Sequence, residues 1–412
     1  MKVPNSPREF SQVLASFTNY ERLPTFRYDT ESFDLRRMEA LAASLGNPHD
    51  RYPAVHIAGT KGKGCTCLIL EALLKAEGLK VGTYTSPHIE HLRERIRVDG
   101  KSISEESFMR TVNSILPLIE PADGESGSPT FFELLTAMAM LCFARSSVDI
   151  SIFEVGLGGR LDATNILSAR WSAITSLGLE HTQLLGNTLT AIAREKAGIV
   201  RPQTPLITGE LPEEAHKEIE RIVTEKGTPW TVADPGSVKL NRDGLLEMDG
   251  IQGAFQAPAI RGPGIRADLA ISIALYRTVL KNLDKQLDTI QLQSALDSLR
   301  LPARIEVFPG PPTCCLDTAH TPESIKSLRQ TLEEIDFPQP RALILSLSTD
   351  KRREEILAEA GGIADEIIFT RADETRSVDP QELRDTLGSG RIIEDPREAL
   401  EFSRQKGWNP VI

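Results

Sequence analysis

One stretch decides the fold of this chain: Ala54-Val55-His56-Ile57-Ala58-Gly59-Thr60-Lys61-Gly62-Lys63-Gly64-Cys65. Its first five residues have the composition of a buried strand, and the pattern after the glycines predicts a helix from Cys67 to Ala76. A strand that ends in glycines and opens into a helix points several backbone N–H groups at one place, where the helix dipole adds partial positive charge. From inside such a turn, Lys63 can reach the terminal phosphates of a nucleotide. The stretch therefore predicts a phosphate-binding turn from Gly59 to Cys65.

The turn departs from the strict Walker pattern GxxxxGK[ST]. Gly64 follows Lys63 where Ser or Thr is required, and Ile57 stands where the first glycine belongs. Taken alone, the turn also fits a purely structural connection between a strand and a helix, and that alternative stays open at this point.

Short β-branched runs alternate with amphipathic stretches downstream of the turn. Val81–Thr85, Asp149–Val155 and Ser172–Ser176 are predicted strands, and this alternation is typical of a parallel α/β sheet. The pattern restarts near residue 301, and 412 residues exceed what one hydrophobic core usually supports. We predict a P-loop-type ATPase domain with a parallel sheet over residues 1–300 and a smaller, Rossmann-like α/β domain over residues 301–412.

The segment from Trp230 to Ile260 has a different pattern. It contains two turn signals, Asp243-Gly244 and Asp249-Gly250, between short apolar runs. This predicts an antiparallel ribbon at the edge of the first sheet.

Glu154 ends one of the predicted parallel strands and is followed by the loop Gly156-Leu157-Gly158-Gly159. Open α/β sheets bind ligands at the carboxyl ends of their strands. A carboxylate there suits Mg²⁺, which takes oxygen ligands and keeps several waters. The alternative is that Glu154 is a salt-bridged strand end and the glycines form a wide turn.

Two further polar segments follow the strand Ser172–Ser176. They are Glu180-His181 and Glu195-Lys196. From the residues alone, His181 is interpreted as a structural histidine and Lys196 as a solvated cation at the end of a helix.

The bulk composition excludes several classes of protein. The formal net charge is −11, which argues against a nucleic-acid-binding protein, because such a protein needs a basic face. The first 18 residues are too polar for a signal sequence, and no apolar run has membrane-spanning length. The five cysteines form no CxxC pair, which favours reduced thiols in a cytoplasmic protein.

Several motifs follow one another in a fixed order. They are Leu45-Gly46-Asn47-Pro48, His56 to Gly64, Thr85-Ser86-Pro87-His88, Glu94-Arg95-Ile96, Glu154 to Asn165 and Glu195 to Ile199. Together they resemble one family, folylpolyglutamate synthase/dihydrofolate synthase of the Mur ligase superfamily. The resemblance covers about residues 20 to 300 and continues weakly beyond them.

The resemblance implies roles for individual positions. The residues implied in ATP binding are Gly59, Thr60, Lys61, Gly62, Lys63, Gly64, Cys65, Thr66, Asp268, Arg304, Asp317 and His320. The residues implied around catalytic Mg²⁺ are Ser86, Glu154, His181 and Lys196, the last as a carbamylated lysine. Thr130, Phe132 and Asp162 match positions near the folate pocket, and Lys63, Lys196, His181 and Arg304 are the implied catalytic residues. Thr130 and Glu133 also form the signature of a capping box, and we expect Glu133 to act only as a cap.

The chain departs from the family pattern at several positions. Cys65 replaces the usual Ser, with Thr66 beside it as a substitute hydroxyl, and Lys61 and Asp268 each stand where Asn is usual. In the C-terminal third, Thr321 replaces Asn, and Asp350-Lys351-Arg352 stands for Asp-Lys-Asp. The chain stops at Val411-Ile412, where the family continues, which suggests a short or incomplete C-terminal domain.

The resemblance implies a cytoplasmic, monomeric ligase that uses ATP and Mg²⁺ to join L-glutamate to dihydropteroate, to folates, or to both. Two alternatives remain at this point. One is another Mur-type amino-acid ligase, and the other is a nucleotide- or folate-binding homologue with impaired catalysis.

Overall fold

The structure is a computed structural model that describes residues 7–21, 29, 33–119, 128–349, 352–373 and 376–412. Asp350 and Lys351, two of the residues matched to Asp-Lys-Asp, lie outside these ranges. Among the described residues, no helix combines the length and the apolar character needed to cross a bilayer.

The described helices are, in chain order, α1 (Pro7–Leu14), α2 (Leu35–Ser44), α3 (Lys63–Ala76), α4 (Glu105–Ile115), α5 (Phe131–Ser146), α6 (Thr182–Leu185), α7 (Leu189–Lys196), α8 (Glu213–Lys226), α9 (Gly262–Asn282), α10 (Thr289–Ser298), α11 (Pro322–Glu334), α12 (Arg353–Ala360), α13 (Pro380–Leu387) and α14 (Pro396–Gln405). The described strands are β1 (Ala54–Ala58), β2 (Val81–Tyr84), β3 (Ile96–Val98), β4 (Lys101–Ser102), β5 (Ile150–Glu154), β6 (Trp171–Ile174), β7 (Leu206–Thr208), β8 (Trp230–Val232), β9 (Val238–Leu240), β10 (Leu246–Met248), β11 (Ile251–Phe255), β12 (Glu306–Phe308), β13 (Cys314–Leu316), β14 (Arg341–Leu345), β15 (Glu366–Phe369), β16 (Arg391–Ile392) and β17 (Asn409–Val411).

Contacts between Cα atoms divide the chain into two compact units. The first comprises Met1–Ala257 and Ala267–Leu299, and the second comprises Pro258–Arg266 and Arg300–Ile412. Helix α9 therefore begins in the second unit and continues in the first.

The first unit is built on an eight-stranded sheet in the order β4-β3-β2-β5-β1-β6-β7-β8. Strands β2, β5, β1, β6, β7 and β8 pair in parallel, whereas β3 and β4 add an antiparallel edge. Every residue of β1 and β5 is buried, as expected for central parallel strands covered on both faces. This confirms the predicted parallel-sheet fold of the N-terminal region.

Helix α3 begins at Lys63, four residues before the predicted start at Cys67. Gly62 adopts the left-handed conformation (φ 84°) at the N-cap, a conformation that glycine reaches at little cost. Because this turn is so tight, the first helical turn includes Lys63 and Gly64 themselves. The phosphate-binding turn and the helix N-terminus therefore coincide.

The predicted antiparallel ribbon is present, but its predicted place at the edge of the large sheet is wrong. Strands β9, β10 and β11 form a separate three-stranded sheet, in which Gly244 and Gly250 occupy left-handed turns. At this end of the large sheet the edge strand is β8, which pairs in parallel with β7. A parallel pair needs a crossover, which α8 supplies between β7 and β8, whereas strands joined by short turns pair with one another.

The second unit contains a six-stranded sheet in the order β12-β13-β17-β14-β15-β16. Only the β12–β13 pair is antiparallel, and β17 lies between β13 and β14. The second, smaller α/β fold is thus confirmed.

Candidate active site

The described site lies at the carboxyl ends of the central strands of the large sheet. Strand β1 pairs in parallel with β5 and β6, and β2 pairs in parallel with β5, so the carboxyl ends of all four strands lie on the same side. The segments that follow these strands carry the phosphate-binding turn, Ser86, the glycine loop at 156–159 and Thr175-Ser176. This is the edge at which open α/β sheets bind ligands.

The phosphate-binding turn is held by the end of β6. Thr60 N donates to Ser176 O at 2.8 Å, and Lys61 N donates to Ser176 Oγ at 3.0 Å. Thr175 Oγ1 donates to Lys61 O at 2.5 Å. A Cβ on Gly59 would lie 1.9 Å from Thr175 Oγ1, so this close approach requires glycine. These contacts come from the segment that follows β6, so the conformation of the turn depends on a part of the chain far away in sequence.

The sequence pattern places Thr175 and Ser176 in a predicted strand and gives them no role of their own. Two hydroxyl residues at the carboxyl end of an apolar strand are a signal for a contact that holds a loop. The pairing of β6 with β1 identifies that loop as the phosphate-binding turn.

Two lysines converge on one carbonyl of the turn. Lys63 Nζ donates to Gly59 O at 3.1 Å, and Lys196 Nζ donates to the same oxygen at 2.8 Å. The interpretation of Lys196 as a solvated helix-end cation is wrong, because its side chain is only 6% exposed. Burial, together with the charge of Lys63, lowers the pKa of Lys196 to about 7. A large share of this amine is therefore neutral at neutral pH.

Glu154 lies beside the same turn. It is the last residue of β5 and is 4% exposed, and its Oε2 accepts a hydrogen bond from Ser86 N at 2.9 Å. A Cβ on Gly64 would lie 3.6 Å from this oxygen, which places the carboxylate against the first turn of α3. Ser86 and Glu154 are thus brought together next to the predicted phosphate site.

His181 and Glu180 follow β6 on an exposed segment. His181 is the N-cap of α6 in a left-handed conformation (φ 51°), and its side chain is exposed. The negative charge of Glu180 opposes the lowering of the Lys196 pKa, so this segment lies near the lysine. Within the described residues, no group of three or more His, Cys, Asp or Glu side chains is arranged to hold a metal ion by itself.

Phe132 and Asp162, two of the three residues predicted near the folate pocket, border the glycine loop. A Cβ on Gly156 would lie 2.6 Å from the ring of Phe132. The Asp162 carboxylate is buried and accepts a hydrogen bond from Leu157 N at 2.9 Å. The two side chains therefore contact adjacent residues of one loop.

Thr130 caps helix α5. Its hydroxyl accepts from Glu133 N at 3.2 Å, and its backbone N donates to Glu133 Oε2 at 2.7 Å, which confirms the capping box. The expectation that Glu133 acts only as a cap is wrong, because Arg37 Nη2 donates to Glu133 Oε1 at 3.0 Å. This ion pair is nearly buried and ties α2 to the start of α5.

Asp268, expected at the adenine side, reaches the phosphate-binding turn itself. A Cβ on Gly62 would lie 2.0 Å from Asp268 Oδ1. The hydroxyl of Thr66, considered as a substitute for a serine at Cys65, is fully buried and has no hydrogen-bond partner among the described residues. The Cys65 side chain is also buried. Neither side chain is presented at the surface of the turn.

The remaining predicted residues belong to the second unit and form a local cluster there. Arg304 Nη1 donates to Ala303 O at 3.0 Å and contacts Thr318 Oγ1. Asp317 accepts from Ile305 N at 2.9 Å and from Ala319 N at 2.8 Å. Burial raises the pKa of Asp317, although these N–H donors and the Arg304 charge oppose that rise. His320 is exposed, with Nδ1 2.7 Å from Thr318 O.

The chain is similar in sequence to proteins of one known family. Residues 303–407 match the profile of the Mur ligase, glutamate ligase domain. The chain is 32% identical over 414 residues to a Bacillus subtilis dihydrofolate synthase/folylpolyglutamate synthase, covering 96% of each protein. It is 31% identical over 409 residues to the Escherichia coli protein of the same description, covering 97% of this chain and 92% of that protein.

Solved structures of folylpolyglutamate synthases are similar to this chain in fold. A Mycobacterium tuberculosis folylpolyglutamate synthase complexed with ADP superposes with a TM-score of 0.87 at 27% identity, covering 98% of this chain and 95% of that one. Escherichia coli FolC in complex with DHPP and ADP gives a TM-score of 0.83 at 27% identity, covering 100% and 95%. On the motifs, the fold and these relatives together, the chain belongs to the dihydrofolate synthase/folylpolyglutamate synthase family of Mur-type ligases.

Proposed function

We propose that this chain is an ATP-dependent ligase that joins L-glutamate to dihydropteroate, to (poly)glutamyl folate, or to both. The observation that carries the proposal is the convergence of Lys63 and the buried Lys196 on Gly59 O, beside the Glu154 carboxylate. This arrangement places two amines and a carboxylate around a ready-made phosphate-binding turn.

The reaction needs an activated carboxylate, because the carboxylate anion repels nucleophiles and hydroxide is a poor leaving group. The acceptor carboxylate attacks the γ-phosphorus of ATP, a new P–O bond forms, and ADP leaves. The glutamate amine then attacks the carbonyl carbon of the acyl phosphate, and phosphate leaves as the amide forms. In such transfers the protein contributes mainly positioning and stabilisation of charge.

The turn supplies the phosphate contacts in this proposal. The N-terminus of α3 offers backbone N–H groups and partial positive charge. Lys63 has its ammonium within the turn and donates to Gly59 O and to Thr60 O, at 3.1 and 3.4 Å, so it can move to a phosphate oxygen without leaving the site. Thr175 and Ser176 fix the conformation of the turn through their hydrogen bonds to Lys61.

The residues present fit Mg²⁺ bound together with nucleotide. In nucleotide sites this ion typically takes one or two carboxylates and completes its shell with phosphates and water. Glu154 is a nearly buried carboxylate beside the turn, and Ser86 is hydrogen-bonded to it through its backbone. Ser86, Glu154, His181 and a carbamate on Lys196 would hold the ion. Bound Mg²⁺ would neutralise charge on the phosphates.

Lys196 fits the carbamate that the resemblance implies. Only a neutral amine attacks CO₂, and the pKa of about 7 leaves much of Lys196 in that form. The ammonium first loses a proton; the neutral nitrogen then bonds to the carbon of CO₂ and releases a second proton, so that a cation becomes an anion. The Lys63 ammonium, which disfavours a second cation at Gly59 O, favours this anion. Burial disfavours the Lys196 ammonium, and the carbamate that would replace it offers oxygen atoms to a metal ion.

Phe132, Asp162 and Thr130 are proposed to border the folate pocket, because the first two flank the glycine loop at the ligand edge of the sheet. Arg304, Asp317 and His320 keep their predicted role in ATP binding as part of the proposal. A monomer acting in the cytoplasm is also proposed, and light scattering on the purified chain measures its oligomeric state.

Turnover tests the proposal. Glutamate-dependent phosphate release is measured with dihydropteroate, tetrahydrofolate and UDP-linked muramyl acids, in wild type and in Lys63→Ala. We expect release with one or both pterin substrates and a large loss in the variant. Turnover only with the UDP substrate would make the chain another Mur-type ligase. Release no higher than in Lys63→Ala, for every substrate, would leave only a binding protein.

A further inference from the structure

A buried chain of polar groups runs from the central strand to the glycine loop. His56 lies on β1 and is 0% exposed, and its Nε2 is 2.7 Å from Thr164 Oγ1. Thr164 Oγ1 lies 2.5 Å from Asp162 Oδ1, which also accepts from Thr164 N at 3.0 Å. Asp162 Oδ2 accepts from Leu157 N at 2.9 Å. These contacts link a strand residue to the loop that follows a neighbouring strand.

The direction of each hydrogen bond can be assigned. Both Asp162 oxygens accept backbone N–H groups, and these donors favour the ionised carboxylate, although burial raises the pKa of Asp162. With the carboxylate ionised, the single hydroxyl proton of Thr164 points to Asp162. Thr164 Oγ1 can then only accept from His56, and His56 must carry its proton on Nε2. Burial and the charge of Arg201 lower the pKa of His56 to about 3, so the ring is neutral and holds this one proton.

Burial of His56 in the core destabilises the folded state. Its Nδ1 is buried and has no hydrogen-bond partner among the described residues, and an unsatisfied buried polar atom destabilises the folded state. An apolar side chain of similar size would fill the same space on β1 without that cost. The compensating contact of the imidazole is the hydrogen bond to Thr164.

We propose that His56 is a positioning residue for the acceptor substrate, acting through Thr164 and Asp162 on the glycine loop. Leu157 N is held by Asp162, and the adjacent Gly156 packs against Phe132, so the chain of hydrogen bonds sets where the loop meets the aromatic ring. The inference rests on the proposed function, in which this loop and Phe132 border the folate pocket. It predicts an effect on the pterin-type substrate and not on ATP.

Matched variants separate this role from general support of β1. His56→Leu and Thr164→Val remove the hydrogen-bonding groups at nearly constant shape, whereas His56→Gln and Thr164→Ser keep a donor or a hydroxyl. KM and kcat are measured for dihydropteroate, for tetrahydrofolate and for ATP, with thermal unfolding of each variant as the control for folding. We expect His56→Leu and Thr164→Val to raise the pterin KM about tenfold, the effect of one lost hydrogen bond. The ATP KM and kcat should change less than about twofold, and the conservative variants should stay close to wild type.

The double variant His56→Leu/Thr164→Val should be no worse than the poorer single variant, because both changes break the same connection. An equal rise in the KM for ATP would overturn the positioning role, since β1 also leads into the phosphate-binding turn. Additive effects in the double variant would overturn it as well. If His56→Leu fails to fold, Thr164→Val and Thr164→Ser decide the question alone. Absence of turnover in the wild type would overturn the proposed function, and the positioning role with it.

Discussion

The phosphate-binding turn of the first unit and the Arg304–His320 cluster of the second are held in different ways. The turn is fixed by residues far away in sequence, since Thr175 and Ser176 bond to Lys61 and Lys196 bonds to Gly59. The cluster is fixed by near neighbours, with Asp317 accepting from Ile305 and Ala319 and His320 contacting Thr318. Gly59 and Cys65 at the two ends of the turn are buried and the residues between them are half-buried, whereas Thr318 and His320 are exposed. Substitutions in the turn should therefore have larger effects than substitutions in the cluster.

The largest expected effect comes from Lys196. Lys196→Met removes the amine that would carry the carbamate, and glutamate-dependent phosphate release should fall on the order of 10²–10³-fold. With ¹³C-bicarbonate, wild type should show a carbamate NMR signal that the variant lacks. Lys226→Met is the matched control, because Lys226 is half-buried and also donates to a backbone carbonyl, Val200 O at 2.6 Å. Comparable losses in both variants would contradict a specific role for Lys196.

The pH dependence of that signal should follow the amine. With a pKa of about 7, roughly a tenth of Lys196 is neutral at pH 6 and about nine-tenths at pH 8, so the carbamate signal should rise through this window. Lys63→Met removes a charge that lowers this pKa, so the midpoint should move to higher pH. A midpoint that stays in place in Lys63→Met would show that the two lysines do not interact.

Thr175→Val should weaken the hold on the turn without changing the shape of the side chain. Loss of the bond to Lys61 O should raise the KM for ATP about tenfold and leave the pterin KM near wild type. Thr278→Val is the control, since the Thr278 hydroxyl bonds only to Ala274 O one helical turn earlier among the contacts described for it. If both variants bind ATP like wild type, the turn does not depend on β6.

In the cluster, Asp317→Asn should lower the stability of the second unit and weaken the ATP binding proposed for Asp317, the latter by less than Thr175→Val does. The amide can accept from Ile305 N but turns its own NH₂ group towards Ala319 N, so one backbone donor loses its acceptor. We expect the free energy of unfolding of the second unit to fall by about 1 kcal/mol in urea titrations. Asp317→Ala, which removes both acceptors, should cost more. If Asp317→Asn lowered turnover more than Thr175→Val does, substitutions in the cluster would have larger effects than substitutions in the turn, contrary to this prediction.

The smallest effect is expected for His320→Ala. The side chain is exposed, and its described hydrogen bond is to a carbonyl two residues away, so the free energy of unfolding should change by less than about 0.5 kcal/mol. The same variant tests the ATP-binding role predicted for His320. A fall of more than about tenfold in kcat/KM for ATP, with stability unchanged, would establish that role and make His320 more than a local contact.

The sequence predicted correctly those elements that depend on interactions between neighbouring residues. The strand at Ala54–Ala58, the capping box at Thr130 and the two Asp-Gly turns follow from residues within a few positions of each other, and all are present. Prediction failed where pairing partners decide, as for the ribbon β9–β11, which forms its own sheet. Lys196 shows the same limit, because a lysine in the last turn of a helix looks solvated until the packing of α7 is known.

The sequence by itself predicted the kind of chemistry at the site. The glycine turn with Lys63 and the carboxylate at Glu154 predict binding of phosphate and Mg²⁺, because these ligands require particular residue types at particular places along the chain. The resemblance in the order of the motifs implies the Mur-type ligase. Tertiary structure decided how those groups act together. Only contacts between distant segments show that Thr175 bonds to the turn, that Lys196 is buried against Gly59, and that His56 is linked to Asp162 through Thr164. Burial and hydrogen bonding depend on contacts between distant segments, and these set the pKa of Lys196 and the proton position on His56.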